Sequence, residues 1–269
     1  MQFFVRAGDA SAQVHDAASL TVATYNVHGL RNCAGVRRDL AALDDVLVWC
    51  QQEVPHADGR EIESILPPGA WHVAAIPVNP DPKRHAWEAQ VIASRFPIER
   101  VDVWPLDDRG AKRRVALAAQ IDVGGHPVLV VNTDHEPSML AWRDGNTLQA
   151  RQLAERVRAC GSEIVIVAGD FNCAGNLFRL RGNTANVRHV DHTLAGAGLT
   201  PLATSGPTFR SGLLRSRLDR IYARGLNLIG GAVAASSRGS DHFPVWGRFA
   251  FLNSSATSQR QDGEKNESR

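Results

Sequence analysis

The chain has 269 residues, 43% of them hydrophobic and 22% charged, with a formal net charge of +2. That is enough apolar material for one large domain with a real core, and too little charge bias to mark a nucleic-acid binder by composition alone. No apolar run is long enough to span a bilayer, and Arg6 and Asp9 cut short the apolar opening residues, so the expectation is a cytoplasmic protein with no stable membrane association.

The first 18 residues are weakly patterned. Leu20 to Tyr25 alternates and predicts a strand. Val36, Leu40 and Leu43 recur at helical spacing and predict a helix over about 36–44. Val46 to Cys50 is a continuous apolar run, which suits a strand covered on both faces. Gln90 to Ser94 and Val101 to Trp104 predict strands either side of the Phe96-Pro97 break. Arg114 to Asp122 and Pro127 to Thr133 predict a hairpin joined through Gly124-Gly125. Ala150, Leu153, Ala154 and Val157 mark an amphipathic helix ending near Gly161. Glu163 to Ala168 is the clearest buried strand. Val190, Leu194 and Ala197 predict a helix stopped by Gly198. Leu218 to Ala223 and Pro244 to Phe251 predict the last strands. From Asn253 onward the chain is polar and too poor in apolar residues to offset the entropy of ordering, so a disordered tail is expected. Cys33, Cys50, Cys160 and Cys173 lack paired spacing and read as reduced thiols. Hairpins mixed with crossovers, and no internal repeat, point to an α/β fold with mixed sheets.

The chemistry lies where the apolar runs stop. Thr24-Tyr25-Asn26-Val27-His28 follows the first strand and Gln51-Gln52-Glu53 the second. Asn132-Thr133-Asp134-His135-Glu136, Gly169-Asp170-Phe171-Asn172, Leu218-Asp219-Arg220-Ile221 and Ser240-Asp241-His242 come later. Strand ends at one edge of a sheet converge, and sites collect there. Carboxylates and amides are hard oxygen ligands suited to Mg²⁺, Mn²⁺ or Ca²⁺. A histidine with an aspartate partner is a tuned acid or electrostatic stabiliser. Taken singly, each residue has a plainer role. Glu53 reads as a solvated strand-end carboxylate and Asn26 as a turn residue. Asp170-Phe171-Asn172 reads as an Asx turn, Asp241-His242 as a cap, and Asp219 as a cross-strand ion pair.

As an ordered set they resemble the endonuclease/exonuclease/phosphatase superfamily, which includes exonuclease III-like and DNase I-like nucleases, neutral sphingomyelinases and inositol polyphosphate 5-phosphatases. The resemblance covers residues 20 to 250 and rests on Tyr25-Asn26-Val27, Gln52-Glu53, Ser94-Arg95-Phe96-Pro97-Ile98, Gly169-Asp170-Phe171-Asn172, Leu218-Asp219-Arg220-Ile221 and Ser240-Asp241-His242. It implies a DNase I-like fold: two packed mixed β-sheets flanked by helices, a four-layer α/β/β/α sandwich. The implied organisation is a weakly structured segment over 1–18, a catalytic domain over 19–252 and a disordered tail over 253–269. It further implies that Glu53 is the principal metal ligand, with Asn26 and Asp241 close to the same ion, Mg²⁺ or alternatively Mn²⁺. Asp170 would orient or deprotonate the attacking water, Asn172 would contact the scissile phosphate, and His242 would contact phosphate while paired with Asp219.

One position departs from the family pattern, which carries Asn-Thr-His-Leu after the central hairpin. Either Asp134 replaces that histidine, or His135 reaches the site after a one-residue shift; His135 is carried as a catalytic candidate. His28 would face phosphate or cap its loop.

Between Phe178 and Arg224 stand Arg179, Arg181, Arg188, Arg210, Arg215, Arg217, Arg220 and Arg224, opposed only by Asp191 and Asp219. A basic rim suits a nucleic acid, with guanidinium forks on phosphates; the plainer reading is a solvated basic face. Arg113-Arg114 would reach phosphate or guard a strand start. The expectation is a phosphoester hydrolase, first a nuclease or nucleic-acid phosphodiesterase. The alternatives are an enzyme of lipid head groups or small phosphoesters, and a catalytically silent binding module of the same fold. A monomer is the default.

Overall fold

In the computed structural model, which describes residues 4–6, 18–56, 60–82, 85–107, 112–137, 145–173 and 183–252, the apolar runs become strands covered on both faces. The strands are β1 (Phe4–Arg6), β2 (Ser19–Asn26), β3 (Val48–His56), β4 (His72–Asp81), β5 (Ala86–Ser94), β6 (Ile98–Leu106), β7 (Arg114–Val123), β8 (His126–Asp134), β9 (Ile164–Asp170), β10 (Thr200–Pro201), β11 (Phe209–Ser211), β12 (Leu214–Ser216), β13 (Asp219–Arg224), β14 (Leu226–Val233) and β15 (Val245–Phe251). The helices are α1 (Cys33–Ala41), α2 (Arg60–Ile65), α3 (Gly145–Ala159) and α4 (Asn183–Ala195).

Two sheets carry the fold. One runs β1-β4-β5-β3-β2-β15-β14, the other β10-β13-β9-β8-β7-β6, and β11-β12 is a separate two-stranded ribbon. Both sheets are mixed: β2 pairs in parallel with β3, and β8 with β9, while the remaining pairs are antiparallel.

Alternation along each strand builds three apolar layers. Leu20, Val22, Val48, Ile92, Leu117, Val130, Ile166 and Ile221 fill the space between the sheets. Val165, Val167 and Tyr222 face the other way, onto Leu153 and Val157 of α3 and Leu194 of α4. Ala23, Tyr25 and Trp49 pack on Val36 and Leu40 of α1 and Ile62 of α2. The result is the expected α/β/β/α sandwich. No helix among the described residues is long and apolar enough to cross a membrane, and the four cysteines are free thiols.

Several boundaries differ from the sequence expectation. The first helix begins at Cys33 because Asn32 caps it, its side chain accepting from Gly35 N at 3.0 Å. The second predicted strand continues past Cys50 to His56, so Glu53 lies inside β3 rather than beyond it. The helix α2 and strands β4 and β14 were not anticipated; β14 is half-exposed and interrupted by Gly230-Gly231, which blurs its alternation. The weakly patterned N-terminal stretch nevertheless supplies β1, paired with β4. Otherwise the expected weak structure over 1–18 falls largely outside the described residues, and the expected tail over 253–269 wholly so. The hairpin through Gly124-Gly125 is present, both glycines having positive φ of 60° and 87°, as a tight turn between right-twisted strands requires.

Candidate active site

Register brings the polar strand ends together. Asp134 of β8 stands beside Asp170 of β9, and Asp170 stands directly opposite Asp219 of β13. In the other sheet Asn26 of β2 stands beside Gln52 of β3. The two groups face each other across the mouth between the sheets: Asn26 Nδ2 donates to Glu53 Oε1 at 3.1 Å and to Asp170 Oδ2 at 3.2 Å. Below them, Gln52 Nε2 donates to Asn132 Oδ1 at 2.7 Å, tying the sheets beneath the cleft.

Local backbone features aim these side chains. The pairing of β3 with β5 slips between Gln51 and Val54, and within that bulge Glu53 has φ of 55°. A bulge of this kind re-aims a side chain. Asn172 also has positive φ, 49°; its N–H donates to Asp170 Oδ1 at 2.8 Å, closing an Asx turn. Gly169 at φ 156° lies against the Thr133 carbonyl, where any Cβ would collide. Non-glycine residues held in the left-handed region concentrate at sites that the surrounding fold over-determines.

The loop bearing Asp241 and His242 is held from two sides. Asp39 of α1, buried, accepts from Arg238 N and Gly239 N at 2.8 Å each and from Tyr25 Oη at 2.7 Å. Ser240 Oγ donates to Asn26 O at 2.8 Å. His242 is thereby set with Nδ1 at 2.9 Å from Asp219 Oδ2 and Nε2 at 3.9 Å from Asp170 Oδ2. Phe209 covers its ring edge-on at 5.0 Å. At the mouth, His28 Nδ1 lies 2.7 Å from Asp241 Oδ1.

Electrostatics follow from the crowding. Burial, then the charge of Asp219, pushes Asp170 well above the ordinary carboxylate range. Burial would discharge His242, but Asp219, Asp170 and Asp241 outweigh it and push the imidazole up to about 10. Burial likewise raises Asp134, opposed by Arg114. The cleft has a volume of ≈ 400 Å³ and is lined by Glu53, Arg114, Asp134, Asp170, Asp241 and His242 among others.

Of the eight residues singled out in the sequence, seven converge here: Asn26, Glu53, Asp170, Asn172, Asp219, Asp241 and His242. His135 does not. Its side chain is 0% exposed and turns into the layer between sheet and helices, edge-on to Phe171 at 4.7 Å. Its neighbours there are apolar, apart from the backbone of Asn146. Successive residues of an extended strand face opposite ways, so Asp134 takes the cleft and His135 the core. Asn172 also differs from expectation: its Nδ2 already donates to His135 O at 2.8 Å and leans on Asp134 Oδ1 at 3.4 Å.

Arg114 is the residue that sequence reasoning left undecided. It is nearly buried in the cleft wall, 2.7 Å from Asp134 Oδ2 and 3.3 Å from Glu136 Oε2. A charged residue opening a strand whose next five positions are apolar is its signal in the sequence. The basic run, in contrast, divides. Arg188, Arg210 and Arg215 are exposed, whereas Arg224 is spent on backbone, donating to Ser162 O at 2.6 Å and Ala197 O at 2.9 Å. Arg179 and Arg181 lie outside the described residues.

Two groupings could hold a cation. Glu53 and Asp241 offer carboxylate oxygens lining the cleft, and Asn26, buried beside Glu53, an amide oxygen that accepts from His28 N at 3.0 Å. Among the described residues, Asp170, Asp219 and His242 also bring ligand atoms within 4.8 Å of one another, but there the Nδ1 of His242 is already engaged by Asp219. A carboxyl raised by burial and by a neighbouring carboxylate, as Asp170 is by Asp219, marks a crowding of oxygen ligands that fits a hard divalent ion.

Two mixed sheets packed face to face, with acids, amides and a paired histidine at the mouth between them, define a DNase I-like phosphoesterase fold. The Endonuclease/Exonuclease/phosphatase family pattern matches residues 23–242, and the chain belongs to this family. Solved structures agree. A family member from Leptotrichia buccalis superposes with TM-score 0.68 at 15% identity, covering 86% of this chain and 100% of that one. D. rerio TDP2, solved with a single strand DNA product, gives 0.63 at 19% identity, covering 86% and 99%. A mannosyl-6-phosphatase from Bacteroides thetaiotaomicron gives 0.61 at 18% identity, covering 86% and 100%. At such identities the likeness establishes the fold alone. No curated protein matches the chain.

Proposed function

We propose that this protein is a divalent-metal-dependent phosphodiesterase acting on nucleic acid, cleaving by in-line attack of water on phosphorus. The observation that carries the reading is the meeting of Asp170 with the His242–Asp219 pair on one side and the Asn26–Glu53 pair on the other. Residues from five separate strands and loops converge on a single point.

Glu53, Asn26 and Asp241 would hold Mg²⁺ or Mn²⁺, and the ion when bound supplies charge neutralisation at the phosphate. Asp170 takes the proton of the attacking water. Its carboxylate is fixed for this by Asn172 N and Asn26 Nδ2, and the neighbouring His242 charge favours the ionised form that accepts the proton. Asp219 locks Nδ1 of His242 and keeps the imidazole charged, leaving Nε2 to donate to a non-bridging oxygen. Negative charge spreads over those oxygens in the transition state, so a fixed cation there lowers the barrier. Asn172 can add one N–H by giving up its long contact to Asp134.

A phosphatase of small phosphoesters is the second reading, favoured by the engagement of Arg220 and Arg224 within the fold, on Asp191 and on backbone carbonyls, and not on a free basic face. A panel separates the possibilities. Duplex and single-stranded DNA, RNA, phosphoinositides, sphingomyelin and a sugar phosphate are each incubated with Mg²⁺ or Mn²⁺, for wild type and Asp170→Ala. Metal-dependent turnover of oligonucleotides, lost in the variant, is expected. Turnover of the sugar phosphate alone would select the second reading, and none at all would leave a silent binding module. Glu53→Gln is expected to weaken Mn²⁺ binding by tenfold or more in a calorimetric titration, with folding intact; unchanged affinity would remove Glu53 from the metal site.

A further inference from the structure

A second hollow lies on the other face of β13, and its charges do not balance. Alternation sends Ile221 into the space between the sheets and Tyr222 toward the helices, so Asp219 and Arg220 likewise point to opposite faces. Behind the strand is a cavity of ≈ 570 Å³, lined by Asp191 of α4, by Leu202, and by Arg215, Ser216, Arg217 and Arg220. Three guanidinium groups thus face one carboxylate.

That carboxylate is shared. Asp191 Oδ1 accepts from Tyr222 Oη at 2.7 Å and from Arg220 at 3.3 Å. Among the described residues, the hydrogen bonds of Arg217 go to neutral acceptors, Thr204 Oγ1 at 3.1 Å and Leu202 O at 3.4 Å. Burial, together with the charge of Arg220, lowers its pKa. The Arg220 side chain is 7% exposed. The Nε atoms of Arg217 and Arg220 and the Oγ of Ser216 all lack a hydrogen-bond partner among the described residues. Buried cationic donors left unsatisfied cost free energy, and a phosphate is the anion whose oxygens the guanidinium fork matches.

The hollow also neighbours the chemistry. Ser216 lines both this cavity and the catalytic cleft. One stretch of chain, from Ser216 to Arg220, therefore walls the reaction centre with Leu218 and Asp219 and the hollow with Arg217 and Arg220.

We propose that this cavity is a second phosphate subsite, receiving a phosphate of the substrate other than the scissile one, with the group it carries resting on the apolar wall of Leu202 and Val187. The inference rests on reading the cleft as a phosphodiesterase centre. It makes the preferred substrate a molecule with at least two phosphates, as in a nucleic-acid strand.

Two measurements on the full chain test it. In EDTA, inorganic phosphate is titrated calorimetrically into wild type, Arg217→Lys and Arg217→Gln. Binding is expected in wild type, weakened at least tenfold in Arg217→Gln and partly restored in Arg217→Lys, with melting temperatures compared to exclude unfolding. With metal, kcat/KM is compared between an oligonucleotide and a chromogenic diester bearing a single phosphate. Arg217→Gln is expected to cut that ratio at least tenfold, through KM. Arg215→Gln, at the exposed rim, should move the ratio in the same direction by less. Phosphate affinity untouched by Arg217→Gln overturns the site. Affinity lost while the ratio stays constant overturns the substrate assignment and leaves a site for a free anion. Loss of turnover on every substrate speaks against the cleft reading instead, and the phosphate titration is independent of it.

Discussion

Two Asp-His pairs stand at the candidate site, and they behave in opposite ways. In Asp241-His242 the histidine points into the cleft, with Nδ1 on Asp219 at 2.9 Å, and is held charged up to about 10. In Asp134-His135 the aspartate points into the cleft and the histidine packs on Phe171. Burial, with the nearby charge of Arg114 adding to it, pushes this second imidazole down to about 3. Both rings are almost fully buried. What separates them is a buried carboxylate in reach: burial alone discharges a histidine, and a fixed anion reverses the sign. The dipeptide carries no function by itself; the facing of its residues does.

The sharpest way to break this comparison is at the charged pair. His242→Ala and Asp219→Ala should each lower kcat by ~10²–10³-fold, the range for losing one donor that stabilises transition-state charge. The double variant should be little worse than either single one, because the two act as a unit. Losses that multiply would mean they work apart. His135→Leu, by contrast, should keep kcat within a few-fold of wild type; a loss on the scale of His242→Ala would restore His135 to the catalytic set.

The same contrast explains what could be read from the sequence. Asn26, Asp170, Asn172, Asp219, Asp241 and His242 were legible because each lies at or just beyond the end of an apolar run, and those ends meet. Glu53 lies nearer the cleft than a strand-end position explains, since β3 continues through it and a bulge supplies the aim. His135 was misjudged because two adjacent polar residues after a strand do not say which one faces the cleft. That is decided by the register of β8 on β9, where Asp134 matches Asp170. The arginine run had no readable division either. Arg220 and Arg224 alternate with the core residues Ile221 and Ala223 on β13, and only the packing of α4 shows that they are not a free basic face.

Acid should act through the core histidine. With a folded pKa near 3 against an ordinary 6.5, His135 stays neutral in the folded protein while the unfolded chain binds a proton. Above pH 6.5 it contributes nothing to the pH dependence. As pH falls below that value it destabilises the fold by up to about 1.4 kcal/mol per pH unit. Between pH 7 and 5 this residue should account for roughly 2 kcal/mol of lost stability. His135→Leu should flatten that part of the profile in urea midpoints measured across the range. An unchanged acid slope would show that His135 is solvated and not buried.

The smallest effect is expected from the residue lying between two catalytic candidates. Phe171 separates Asp170 from Asn172, yet its ring points away from the cleft, edge-on to His135 at 4.7 Å and to Tyr222 at 5.1 Å. Its backbone N–H donates to Leu218 O at 3.0 Å, and that bond survives a side-chain change. Phe171→Leu keeps an apolar group of similar bulk and removes two edge-to-face contacts, worth about 1 kcal/mol each beyond area burial. The melting temperature should fall by about 4–8 °C, with kcat within a few-fold of wild type. Stability and turnover would then separate within one tripeptide. Should Phe171→Leu instead cost turnover as heavily as Asp170→Ala, the core packing would be setting the geometry of Asp170, and the boundary between the cleft and the layer beneath it would have to be redrawn.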